Sequence, residues 1–133
     1  MPTSKSRRKH YRVTLGDVFE AHEQALRLFG GLDGVRDLTL IESAIARPYS
    51  KYYPSLHSKA AALLQSLAKN HGFIDGNKRV ALLAVTTLLD RSGAHLIGET
   101  VVLDLENLIL AVVENEVSLE GATAWFKARI QRD

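Results

Sequence analysis

Apolar side chains recur at the three- and four-residue steps of an α-helix in six separate stretches, and hardly anywhere at the two-residue step of a strand. Thr14-Leu-Gly-Asp17 has the form of a capping box. Leu15, Val18, Phe19, His22, Leu26 and Phe29 continue from it as one stripe until Gly30-Gly31 stops the helix. Asp37 can cap a short helix through Leu38, Ile41, Ala44 and Ile45, which Pro48 ends by disfavouring helical geometry at Arg47. Residues 48–56 combine two prolines with three tyrosines and no helical period, the pattern of a loop or short hairpin. Ser55 stands where an N-cap belongs, ahead of a helix with Ala60, Leu63, Leu64, Leu67 and His71 on one side. Asn77 can begin the next helix. There Val80 to Val85 and Leu88-Leu89 leave hardly any polar face, which predicts a central position, and Gly93 closes it. After an irregular stretch through Gly98, Val101 to Val113 reads as a fifth long helix, and Ser118 caps a last one holding Leu119, Ala122, Phe126 and Ile130. The pattern predicts an all-α bundle of about six helices with negligible sheet.

Composition narrows the classes. The 133 residues, 46% hydrophobic and 24% charged, suit one domain with its own core, and the absence of cysteine removes disulfides, thiolate zinc sites and cysteine nucleophiles. No apolar run approaches the roughly 20 residues of a membrane span, and the amino terminus lacks a secretory pattern, so a cytoplasmic protein is expected. Five of the 17 basic residues, Lys5, Arg7, Arg8, Lys9 and Arg12, fall in the first twelve positions, leaving a body of net charge −3. Residues 1–12 therefore read as a solvated basic tail and 13–133 as the domain, with no direct nucleic-acid role expected. Any phosphate chemistry needs a local site.

One segment departs from ordinary core helix: His71-Gly72-Phe73-Ile74-Asp75-Gly76-Asn77-Lys78-Arg79. The first amides of a helix have no partners within it and point outward at its positive end, so a loop ending at Asn77 offers N–H groups to an anion. Gly76 lets backbone approach closely. Lys78 and Arg79 lie in the first turn, where cations disfavour the helix by a few tenths of a kcal/mol each, a cost that an anionic ligand would offset. The imidazole of His71 can take a proton from a hydroxyl. Asp75 is a hard oxygen ligand of the kind that holds magnesium together with substrate phosphates. Singly, each residue fits a turn, a cap or a core histidine. Their joint order points to attack on a nucleotide phosphate.

This segment resembles the core motif of the Fic/Doc (Fido) families, His-x-Phe-x-Asp/Glu-Gly-Asn-Gly/Lys-Arg, and its Asn-Lys-Arg ending resembles the Doc branch. Phe29-Gly30-Gly31, Gly34-Val-Arg-Asp-Leu38, Glu42-Ser-Ala-Ile-Ala-Arg-Pro48, Lys59-Ala-Ala-Ala-Leu63 and Leu67-Ala-Lys-Asn70 carry the likeness further, over roughly residues 14–129. The resemblance implies a compact Fido fold that transfers part of ATP to a target hydroxyl. His71 would be the base, Asp75 the Mg2+ ligand, Gly76 and Asn77 the anion-binding turn, Arg79 the phosphate grip and Phe73 the anchor of the loop. Lys78 stands where adenylylating members have glycine, and in the Doc branch this goes with transfer of the γ-phosphate, hence a protein kinase. The implied target is a threonine of elongation factor Tu, with arrest of translation. The implied role is that of a toxin, and the 48–56 loop takes the place of a target-docking flap. A self-silencing helix would need Ser or Thr where Leu110 and Glu116 stand before Glu114-Asn115 and Glu120-Gly121, so an antitoxin acting in trans is implied.

Other sites fit poorly. A Walker loop would need Ser or Thr after the lysine, where Arg79 stands, and a zincin would need a histidine at Leu26. His22 lies on an apolar stripe and reads as a hydrogen-bonded core histidine. His10, His57 and His95 show no metal spacing. An adenylyltransferase and a catalytically silent partner-binding helical module are the competing readings.

Overall fold

The computed structural model describes residues 9–133. Six α-helices carry the described chain: α1 (Leu15–Phe29), α2 (Leu38–Ala46), α3 (Leu56–Lys69), α4 (Asn77–Arg91), α5 (Val101–Val113) and α6 (Leu119–Arg129). Their starts follow the expected chemistry. Thr14 accepts from the Asp17 amide and Asp17 returns the bond to the Thr14 amide, while Asp37, Ser55 and Ser118 cap α2, α3 and α6.

The apolar sides of α3 and α4 pack on each other in the centre, with α1, α5 and α6 around them. Ala60 to Leu64 on α3 and Ala81, Ala84, Val85 and Leu88 on α4 have no exposed surface. Each fully buried leucine or valine contributes about 1.5–3 kcal/mol by leaving water. No described helix is long and apolar enough to cross a membrane.

Two details differ from the sequence pattern, and a third decides between its alternatives. Ile130 does not extend α6. It opens strand β2 (Ile130–Arg132), which pairs antiparallel with β1 (Ala94–Leu96) inside the stretch expected to be irregular. The short pairing there completes backbone hydrogen bonds that the end of α6 would otherwise expose. Residues 48–56 form no hairpin: a 3-10 turn, Arg47–Tyr49, leads into bends, because the segment is tied down by its polar groups. The Tyr49 hydroxyl donates to the Tyr11 carbonyl (2.6 Å) and accepts from the Val13 amide (2.8 Å), and Arg47 donates to Tyr53, Gln65 and Ser66. Of the three tyrosines only Tyr52 is largely exposed.

The expected basic tail falls mostly on residues 1–8, which lie outside the described residues. Tyr11 and Arg12 pack onto the domain. Tyr11 donates to Asp17 (2.6 Å) and accepts from Arg91 (3.0 Å), its amide donates to Ser92, and the Arg12 guanidinium lies over the Tyr49 ring.

Candidate functional site

The segment singled out by sequence joins the end of α3 to the start of α4. Helix α3 stops at Lys69, and Asn70 caps it. His71 is therefore not on the buried stripe that the spacing from Leu67 predicts. It has left the helix with φ 54°, and its side chain is exposed, without a hydrogen bond to any described residue. The cause lies in the next two residues. Gly72 is buried so tightly that a Cβ would come within 2.4 Å of Ile41 Cγ1, and Phe73 is driven into the core, 1% exposed. To bury both, the chain must reverse at His71, a left-handed position that non-glycine residues occupy at some cost.

Phe73 is held from every side. Its ring stacks on His22 (centroids 3.9 Å apart) and meets Phe19 edge-on (5.9 Å). Asn77 fixes its backbone: Oδ1 accepts from the Phe73 amide (3.1 Å) and Nδ2 donates to the Phe73 carbonyl (3.0 Å). The Asn77 side chain is thus spent on the loop, and only its backbone is free to face an anion. His22, the expected core histidine, is buried and donates from Nε2 to the Asp75 carbonyl (3.0 Å). Sequence periodicity placed it on the core stripe but gave no sign that it supports this loop.

Residues 31–37 form a second wall of the site. Val35 and Phe73 form an antiparallel bridge, Ile74 donates to the Gly34 carbonyl, and the Arg36 and Asp37 amides both reach the Gly72 carbonyl. The Leu32 amide donates to Asp75 Oδ2 (3.1 Å) and the Gly76 amide to Oδ1 (2.8 Å). These two bonds, Leu32 first, hold the Asp75 carboxyl below its ordinary value against the opposing desolvation, with smaller help from His22 and Lys78. The carboxylate belongs to an exposed residue and is ionised at neutral pH, and each oxygen retains acceptor capacity. One such carboxylate fits magnesium of the kind completed by phosphate oxygens and water; no described cluster of three or more acidic, His or Cys side chains could cage a metal alone.

Gly76, at φ 83°, turns the chain into α4 and leaves its first turn without a side-chain cap or an acidic residue. Lys78 and Arg79 are exposed in that turn and make no ion pair with a described residue. The Arg79 guanidinium lies 3.7 Å from the centroid of the Phe29 ring, the exposed end of the α1 stripe. Both cations line a cleft of about 360 Å³ whose other walls include Phe29, Leu82, Val102 and Leu110. His71 does not line this cleft. The fold thus joins Lys78 and Arg79 on one concave surface, couples Asp75 to Lys78, and carries His71 at the other end of the Phe73–Asn77 staple. Lys69, in the last turn of α3, donates to Asn115 Oδ1.

A sequence model described as the Fic/DOC family matches residues 12–89. The chain is 43% identical to the Toxin Doc of Mycolicibacterium smegmatis over 101 residues, which span 72% of this chain and 78% of that one. It is 28% identical to the Protein kinase doc of Escherichia phage P1 over 109 residues, 79% of this chain and 84% of the relative.

Proposed function

Because the chain belongs to the Fic/DOC family, we propose that it is the toxin of a toxin–antitoxin pair and transfers the γ-phosphoryl group of ATP to a threonine or serine hydroxyl of elongation factor Tu. One observation supports this reading above the others: Lys78 and Arg79 stand at the positive end of α4 without an ion pair to a described residue, close in the chain to the ionised Asp75 carboxylate. A scaffold helix gains nothing from that arrangement, whereas a polyphosphate is bound by it.

In the proposed reaction the His71 imidazole accepts the proton of the acceptor hydroxyl as its oxygen bonds to the γ-phosphorus. The bond from that phosphorus to the β–γ bridging oxygen breaks, and ADP leaves. The amides of Gly76 and Asn77, the Lys78 ammonium and the Arg79 guanidinium hold phosphate oxygens, and Phe73 keeps the loop anchored. Asp75 would hold Mg2+, which supplies charge neutralisation on the phosphates when bound. The relative named Toxin Doc supports a cognate antitoxin as the inhibitor in trans.

The test is to supply ATP labelled at either the α or the γ phosphate, with elongation factor Tu as acceptor. Label arriving from γ, and lost in His71→Ala, is the expected result. Label arriving from α would make the enzyme an adenylyltransferase, and no transfer from either position, with no growth arrest in cells lacking antitoxin, would leave a silent binding module.

A further inference from the structure

The mechanism needs His71 to aim its imidazole, yet that side chain has no hydrogen bond to hold it and sits on a left-handed backbone just past a helix end. What fixes it must act through the main chain. Arg36 is placed to do so. Its Nε donates to the His71 carbonyl (2.7 Å) and its Nη2 to the Asn70 carbonyl (3.4 Å), so one guanidinium spans the two residues on which the chain reverses. Its own amide and that of Asp37 donate to the Gly72 carbonyl (2.8 and 3.0 Å), so three consecutive carbonyls are gripped from one short segment.

The chemistry suits the task. Carbonyls at a helix C-terminus carry the negative end of the dipole, and a cation there makes charge-assisted bonds that are stronger than neutral ones. A planar fork with fixed donors holds two carbonyls in one geometry, which a single ammonium cannot do. Arg36 is itself exposed and makes no ion pair with a described residue, so its fork is not committed to a carboxylate. Asp37, next in the chain, caps α2, whose Ile41 presses on Gly72. The segment is thereby braced against the same loop it grips.

We infer that Arg36 is a positioning residue: its guanidinium clamps the reversal at Asn70–His71 and thereby sets the direction of the His71 imidazole. This rests on the proposed role of His71 as base. The purified full chain is compared with Arg36→Ala, Arg36→Gln and Arg36→Lys by γ-phosphoryl transfer from ATP to elongation factor Tu and by the NMR signals of the histidine side chains. The His71 signal is identified by its loss in His71→Ala.

The expected result for Arg36→Ala is a fall in kcat of at least tenfold with KM for ATP changed less than twofold. The His71 signal moves while those of His10, His57 and His95 stay, and Arg36→Lys regains part of kcat through one donor. An unmoved His71 signal overturns the clamp, and so does a kcat within twofold of the wild type. If Arg36→Ala does not fold, the same criteria are applied to Arg36→Gln and Arg36→Lys. If the wild type transfers nothing, the proposed function fails and the clamp is decided by the His71 signal alone.

Discussion

The two ends of α4 are built on opposite rules. At its C-terminal end Arg91 sits where a cation is favourable, donates to Tyr11, lies 3.8 Å from Asp17, and is joined by Ser92 in a closed set of partners. At its N-terminal end Lys78 and Arg79 sit where cations are unfavourable, beside an uncapped turn and without an ion pair to a described residue. One end satisfies its own groups, and the other leaves its cations without ion pairs to described residues. A helix whose polar groups are complete at one terminus and deliberately incomplete at the other separates scaffold from site within fifteen residues.

The largest expected break is at the incomplete end. His71→Ala should lose about 10²–10⁴-fold in transfer while its thermal unfolding stays that of the wild type, since the exposed imidazole holds nothing in place. Asn77→Ala should fail in both respects. It strands the amide and carbonyl of buried Phe73, costing about 1–3 kcal/mol by denaturant titration, and it lowers activity by loosening the loop.

At the complete end, Asp17→Asn or Tyr11→Phe should cost about 1 kcal/mol and leave transfer untouched. The Asp17 variant also has a pH signature. Burial pushes the Asp17 carboxyl upward, but bonds from Tyr11 and Thr14 together with the Arg91 charge outweigh it and leave the pKa below its ordinary value. A pKa depressed by folding gives stability that is present at neutral pH and lost as pH falls through the folded value. The wild type should therefore converge on Asp17→Asn in acid, measured as unfolding midpoints from neutral pH downward. A gap that persists below the carboxylate range would show that the difference is packing and not charge.

The smallest effect sharpens the contrast most. Lys78→Gln removes a cation from the positive end of α4 and should raise stability by about 0.3–1 kcal/mol while weakening nucleotide binding, measured by calorimetry. A loss of stability there would mean that the N-terminal end is satisfied in some way its contacts do not reveal.

Much of this contrast was legible in the residue order. Capping boxes, stop signals and the nearly all-apolar α4 follow from local rules, and so the helices appear where Thr14, Asp37, Ser55 and Ser118 place them. The motif residues were legible as a set, because cations in a first turn conflict with the helix they belong to. His71 was misplaced on a helix stripe because the spacing from Leu67 is helical, and nothing local says that Gly72 must slide under Ile41. Residues 31–37 gave no local sign of packing against the motif, which they reach through a bridge between Val35 and Phe73, 38 positions apart. Ile130 fits a helical step from Phe126 but serves β2, whose partner β1 lies more than thirty residues earlier.

Sequence alone determined the helices, the apolar faces and the roster of chemical groups, since propensity, capping and periodicity act within a few residues. Only the tertiary structure decided that His22 supports Asp75, that Asn77 is spent on Phe73, that Phe29 backs Arg79 and that Arg36 grips His71. Those are contacts between segments brought together by core burial, and no rule of neighbouring residues encodes which distant backbone group a side chain will meet.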